Sequence, residues 1–320
     1  MSHLTAYSAA DWLVRVYPAS TADAATRRPT PALVWAHGGG FVAGDLDMPE
    51  ADWVARSLAD RGIAVISVDY RLASAGHVYP AASDDVLAAW RWTIDHASEL
   101  GIDPARTALG GASAGGNLVA GAVLRMLAVR STPDPVGGAE SGDAVGAAPD
   151  ELAPPTGPSA PLPAGLFLAY PTLLAVQPAP DAALRALLDA NPGADRFGPA
   201  QVLAMYEGYL GAPVDAPPLA AVPGLATTHD LAGHPPVLMI NGEADELRVS
   251  GEAYAATLAA AGVDLELHLE PGTEHGHLNR PDEAAASASI DRLARWIRGL
   301  ESGADRPARP ATELLQTITD

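Results

Sequence analysis

Apolar residues gather in short runs along this chain. ALVWA (32–36), IAVISVDY (63–70), GLFLAY (165–170) and PVLMING (236–242) each have the length of a buried strand. RTALGG (106–111) is a weaker fifth run, and DLELHLE (264–270) a sixth with polar alternation. Helical spacing fills the intervals. From Ser83 to Leu100, Val86, Trp90, Ile94 and Ala97 recur on one face, Ser83 is placed to cap the start, Asp84 and Asp85 suit the positive end, and Gly101 stops the pattern. Residues 51–61 and 250–261 follow the same rhythm. Strands alternating with helices predict an α/β fold, with a mostly parallel sheet and helices on both faces.

Two segments fall outside the rhythm. Residues 131–163 are rich in Pro, Gly, Ala and Asp and hold no aromatic residue, so they bury too little to offset their ordering entropy. They are expected to be a disordered insertion. Residues 175–225 carry helical patterns near 181–190 and 199–210 among many prolines, which predicts a helical excursion over one edge of the sheet. Residues 1–300 are expected to form one domain and 301–320 a mobile tail.

Composition removes whole classes of chemistry. None of the 320 residues is Cys, which excludes disulfides, thiolate catalysis and Cys-ligated zinc. All 19 basic residues are Arg, so a Schiff base, a P-loop lysine and a Ser-Lys dyad are excluded as well. The formal net charge of -20 repels nucleic acid and anionic lipid. No stretch reaches the ~18 uninterrupted apolar residues of a membrane helix. The first residues lack the charged start and apolar run of a secretion signal, so a cytoplasmic location is expected.

The remaining chemistry centres on GASAG (111–115), between a predicted strand and a predicted helix. This is the G-x-S-x-G pattern of a nucleophile elbow, in which a serine sits on a strained strand-to-helix turn and its neighbouring glycines let other backbones approach. HGGGF (37–41) follows the first strand, and its glycines leave the N–H groups of Gly39 and Gly40 uncovered for an oxyanion. With Ala114, they are the candidate oxyanion donors. His37 reads as a residue that fixes this loop.

A serine needs a base, and the base an orienting acid. Glu243, Asp245 and Glu246 all follow the PVLMING strand, and placement at the strand end favours Asp245. PGTEHGH (271–277) supplies two histidines; His275, followed by Gly276, is favoured over His277. His268 lies within a strand and reads as structural. A phosphate-binding reading fails because neither a P-loop nor a G-x-G-x-x-G follows the first strand. A metal reading fails because no H-E-x-x-H or clustered ligand set is present.

Taken in order, HGGGFVAG (37–44), SVDYRLA (67–73), YPAASDD (79–85), GGASAGGN (110–117), DELRVSGEAYAATLAAAG (245–262) and EPGTEHGH (270–277) resemble the hormone-sensitive-lipase-like branch of bacterial α/β-hydrolase esterases. The resemblance spans about residues 30 to 300 and implies an α/β-hydrolase fold with a small helical cap at 175–225. It maps the catalytic triad to Ser113, Asp245 and His275, and the oxyanion hole to Gly39, Gly40 and Ala114. Phe41, Tyr206, Tyr209 and His277 are candidate pocket residues. It implies no cofactor, a small-molecule ester substrate of short to medium chain, and a monomer or homodimer. Amidase, lactonase or sugar or antibiotic deacetylase chemistry is the alternative, with a non-catalytic binding homologue more remote. There are departures: Ala112 stands where the family often has an acidic residue, His277 where it often has an aromatic one, and about 30 residues precede the first matched strand. The short N-terminal segment implies a smaller cap and a more open pocket.

Overall fold

The computed structural model describes residues 5–20, 28–131 and 160–300. Most of the 131–163 segment and all of the 301–320 tail lie outside these residues, as do the expectations placed on them. Eight strands form one sheet: β1 (Tyr7–Ala9), β2 (Val14–Tyr17), β3 (Thr30–Ala36), β4 (Ala64–Val68), β5 (Ile102–Ala112), β6 (Leu166–Ala169), β7 (Val237–Ala244) and β8 (Leu265–Glu274). Their order is β1-β2-β4-β3-β5-β6-β7-β8. From β4 to β8 every pairing is parallel, and only the β1–β2 and β2–β4 pairings are antiparallel.

The helices that pack on the sheet are α1 (Pro49–Ala59), α2 (Ala81–Asp95), α4 (Ala114–Ser131), α7 (Arg248–Ala260) and α8 (Ala284–Arg298). The remaining ones are α3 (Ala97–Leu100), α5 (Ala182–Ala190) and α6 (Pro199–Leu210). Strand alternation sorts the core onto two faces. Leu33, Trp35, Val65, Phe167 and Leu238 pack with Val54 and Leu58 of α1 and Leu293 and Ile297 of α8. Their strand neighbours Val34, Ile66, Leu168 and Met239 pack with Val86 of α2, Val119 of α4 and Leu258 of α7. Both faces are covered, so the parallel strands read as continuous apolar runs.

The helix expected from 83 begins two residues earlier and breaks at His96 into α2 and α3. Ser83 does not cap it. Its buried hydroxyl accepts from Arg125 on α4 at 2.9 Å, and Pro80 holds the cap position. The SVDYRLA and YPAASDD stretches are joined by an ion pair in which the Arg71 guanidinium grips Asp85 at 2.8 Å and the Arg71 backbone N–H donates to the same carboxylate. Residues 5–20 form the β1–β2 hairpin on the sheet edge. No helix among the described residues is long and apolar enough to cross a membrane.

Candidate active site

In a parallel sheet, loops that leave the carboxyl ends of the strands share one edge. Four of them carry the candidate chemistry. His37 follows β3, Ser113 follows β5, Asp245 follows β7 and His275 follows β8.

Ser113 has φ +52°, a left-handed conformation that costs a side-chain-bearing residue about 1–3 kcal/mol. The turn is held on both sides. The Ser113 N–H donates to Ala169 O at 2.9 Å, and Ser113 O accepts from Asn117 and Thr172 at 3.2 and 3.3 Å. A Cβ at Gly115 would stand 2.1 Å from Ala36 O, so only glycine lets α4 start this close to β3.

His275 lies between Ser113 and Asp245. Its Nε2 is 2.9 Å from Ser113 Oγ and its Nδ1 is 2.8 Å from Asp245 Oδ2. A carboxylate only accepts, so Nδ1 carries the proton and Nε2 is the free lone pair facing the hydroxyl. Asp245 is fully buried, and its other oxygen accepts the Leu247 N–H at 2.9 Å. The imidazole is wedged edge-on between Tyr170, at 5.0 Å, and Phe197, at 4.6 Å between ring centres.

The glycine loop after β3 curls around His37. The His37 ring stacks on Tyr70 at 4.5 Å, its Nδ1 meets Gly38 O at 2.6 Å, and the Tyr70 hydroxyl donates to His37 O at 2.8 Å. Gly39 has φ +130°, and a Cβ there would overlap Ala43 O at 1.8 Å. Among the described residues, no acceptor takes the N–H of Gly39 or Gly40. The N–H of Ala114, the first residue of α4, belongs to the helix's unpaired first turn.

Phe41, Tyr206 and Tyr209 come together as one buried aromatic group. Phe41 stacks on Tyr209 at 4.0 Å and tilts against Tyr206 at 5.7 Å. The Tyr206 hydroxyl accepts from Asn117 and donates to Thr172 O, which ties α6 to α4 and to the loop after β6. His277 differs from its expected pocket position. It is fully buried and its Nε2 meets Ser289 of α8 at 2.9 Å, with Glu270 accepting from that serine at 3.2 Å. Burial pushes its pKa down to about 4, aided by Arg280, so the ring is neutral. Gly276, between the two histidines, has φ +74°, and His277 bonds to α8 rather than to the serine.

Sequence reasoning missed Glu50, Tyr170, Phe197 and Asn279. Glu50 is 1% exposed, although an acid after Pro49 at a helix start reads as a solvated charge. Tyr170 ends the GLFLAY run. Burial, then the neighbouring Glu50 charge, pushes its phenol well above the ordinary range, so it remains a hydrogen-bond donor. Nothing in the local pattern of either residue signals the partner, which is 120 positions away.

Residues 33–279 match the alpha/beta hydrolase fold family, and the chain belongs to it, within the hormone-sensitive-lipase-like branch. Among its relatives, carboxylesterase NlhH of Mycobacterium tuberculosis is 39% identical over 85% of this chain and 75% of its own length. An ethyl acetate hydrolase of Pseudomonas putida is 32% identical over 76% of this chain and 65% of its own. In structure, an esterase of Pyrobaculum calidifontis superimposes with a TM-score of 0.69 at 30% identity, covering 90% of this chain and 80% of that one.

Proposed function

We propose that this protein is a serine carboxylic ester hydrolase acting on short- to medium-chain esters. The observation that carries the reading is the unbroken chain of contacts Asp245–His275–Ser113, at 2.8 and 2.9 Å. Ser113 Oγ attacks the ester carbonyl as His275 Nε2 takes its proton. Asp245 holds the imidazole in the required tautomer and stabilises its charged form. The N–H groups of Gly39, Gly40 and Ala114 receive the oxyanion, each such donor being worth about 3 kcal/mol in the transition state. His275 then gives its proton to the leaving alcohol. Water, activated by the same imidazole, cleaves the acyl-enzyme.

The α5–α6 excursion acts as the cap in this reading. Phe197, between the two helices, packs on His275 at 4.6 Å, and Met205 of α6 faces Gly40. The stacked pair of Tyr209 and Phe41, the latter next to the glycine loop in sequence, is the aromatic surface assigned to the small acyl group in this reading.

Ser113→Ala is expected to lower turnover of p-nitrophenyl acetate and butyrate by roughly 10^4-fold or more while the circular dichroism spectrum is kept. Wild-type turnover in that variant would overturn the assignment.

A further inference from the structure

The Glu50 carboxylate takes no part in these steps, yet it is buried directly behind them. Oε1 accepts the Gly38 N–H at 2.5 Å. Oε2 accepts the Tyr170 hydroxyl at 2.5 Å and the Asn279 side-chain N–H at 3.0 Å. Asn279 Oδ1 in turn accepts the Glu50 N–H at 3.2 Å, and Glu50 O accepts from Trp35 at 2.8 Å.

The three carboxylate donors come from three segments. Gly38 precedes the glycines whose N–H groups are uncovered. Tyr170 leaves β6 and presents its ring edge-on to His275. Asn279 closes the turn after His275, its own N–H donating to Gly276 O at 2.9 Å. Only a glycine backbone separates the carboxylate from the nucleophile: a Cβ at Gly38 would stand 2.6 Å from Glu50 Oε1 and 3.1 Å from Ser113 Cβ.

Burying a carboxylate costs several kcal/mol before its partners are counted, and an apolar side chain of the same size would fill this space at lower cost. An apolar side chain would not orient three polar segments at once. The first-turn position on α1 also places the negative charge at the positive end of the helix.

We propose that Glu50 is a positioning residue of this active site. Through Gly38 it fixes the peptides that present the Gly39 and Gly40 N–H groups, and through Tyr170 and Asn279 it fixes the loop carrying His275. The inference rests on the esterase reading above. Glu50 touches no reacting atom, so its effect falls on geometry, where small displacements lower the rate more than they weaken binding.

The test is Glu50→Gln, which keeps the shape but replaces one acceptor oxygen with an amide donor. Active sites are counted by titration with a fluorophosphonate, and turnover of p-nitrophenyl butyrate is expressed per titrated site. The expected result is a fall in kcat of roughly 10-fold or more with KM within about twofold, and a matching loss of affinity for an alkyl trifluoromethyl ketone, whose hydrate mimics the oxyanion. If Glu50→Gln does not fold, Tyr170→Phe and Asn279→Ala each withdraw one donor and leave Glu50 in place. Each is expected to lower per-site kcat by about 2- to 5-fold, with ketone affinity following. Per-site kcat and ketone affinity within twofold of wild type would overturn the proposal, as would a loss seen only as fewer titratable sites. A wild-type protein with no turnover and no fluorophosphonate labelling would instead overturn the esterase reading, and this inference with it.

Discussion

A methyl group placed at Gly115, in the elbow, would stand 2.1 Å from Ala36 O, whereas one placed at Gly208, on α6, would meet nothing within 4 Å. The elbow is backbone packed on backbone, between β3 and α4, with no side chain between them to yield. The α5–α6 excursion is attached mainly by side chains, Tyr206 to Asn117, Phe197 to His275, and Asn191 to Glu274 at 2.6 Å, with one backbone bond from the Tyr79 N–H to Tyr209 O at 2.8 Å. Backbone contacts inside a sheet cannot relax, while side-chain contacts can change rotamer. In the proposed esterase, the chemistry is therefore tied to the rigid region, and the proposed cap to the more adaptable one.

The largest expected effect tests the rigid side. Gly115→Ala is expected to cost roughly 4 kcal/mol or more, seen as a loss of folded, fluorophosphonate-reactive protein. A folded and active variant would mean that the elbow can yield and the contrast is false.

The next effect comes from acid. His277 and His234 are buried, and burial pushes both down to about 4 from an ordinary value of 6.5. A histidine held neutral lends its stability above about pH 6.5. That stability is lost as pH falls from 6.5 toward 4, because the unfolded chain binds the proton first. The loss is up to about 3 kcal/mol per residue at the low end. Melting temperatures followed from pH 7 to 4 should decline, and His277→Asn should flatten part of that decline. Parallel curves for the two proteins would show that His277 does not contribute.

The smallest effect lies on α6. Gly208→Ala is expected to raise stability by about 0.5–1 kcal/mol, because alanine loses less backbone entropy in a helix and has open space here. A loss of stability in chemical denaturation would show that α6 is packed as tightly as the elbow.

Much of the architecture was legible in the pattern. The apolar runs at 32–36, 63–70, 165–170 and 236–242 all became strands, and the helical patterns near 181–190 and 199–210 became α5 and α6. The β1–β2 hairpin was not legible, because strands of three and four residues are too short to show a period. In α8, Ile290, Leu293, Ala294 and Ile297 do carry a helical pattern, and it went unassigned. At the candidate site, Ser113, Asp245, His275 and the glycine loop, which the structure brings together, were legible as candidates because each sits beside a strand end and carries a local signature. His277 was misplaced because the spacing of two histidines around a glycine does not say which one turns inward.

The sequence by itself determined the elements, the strained turn at Ser113 and the list of side chains available for chemistry, since these depend on neighbours a few residues away. Only the tertiary structure brought the favoured histidine, His275, onto the serine, and made Glu50 a buried link between three loops. The contacts that decide those questions join residues 162, 120 and 229 positions apart, and their distances are set by how the strands are ordered in the sheet.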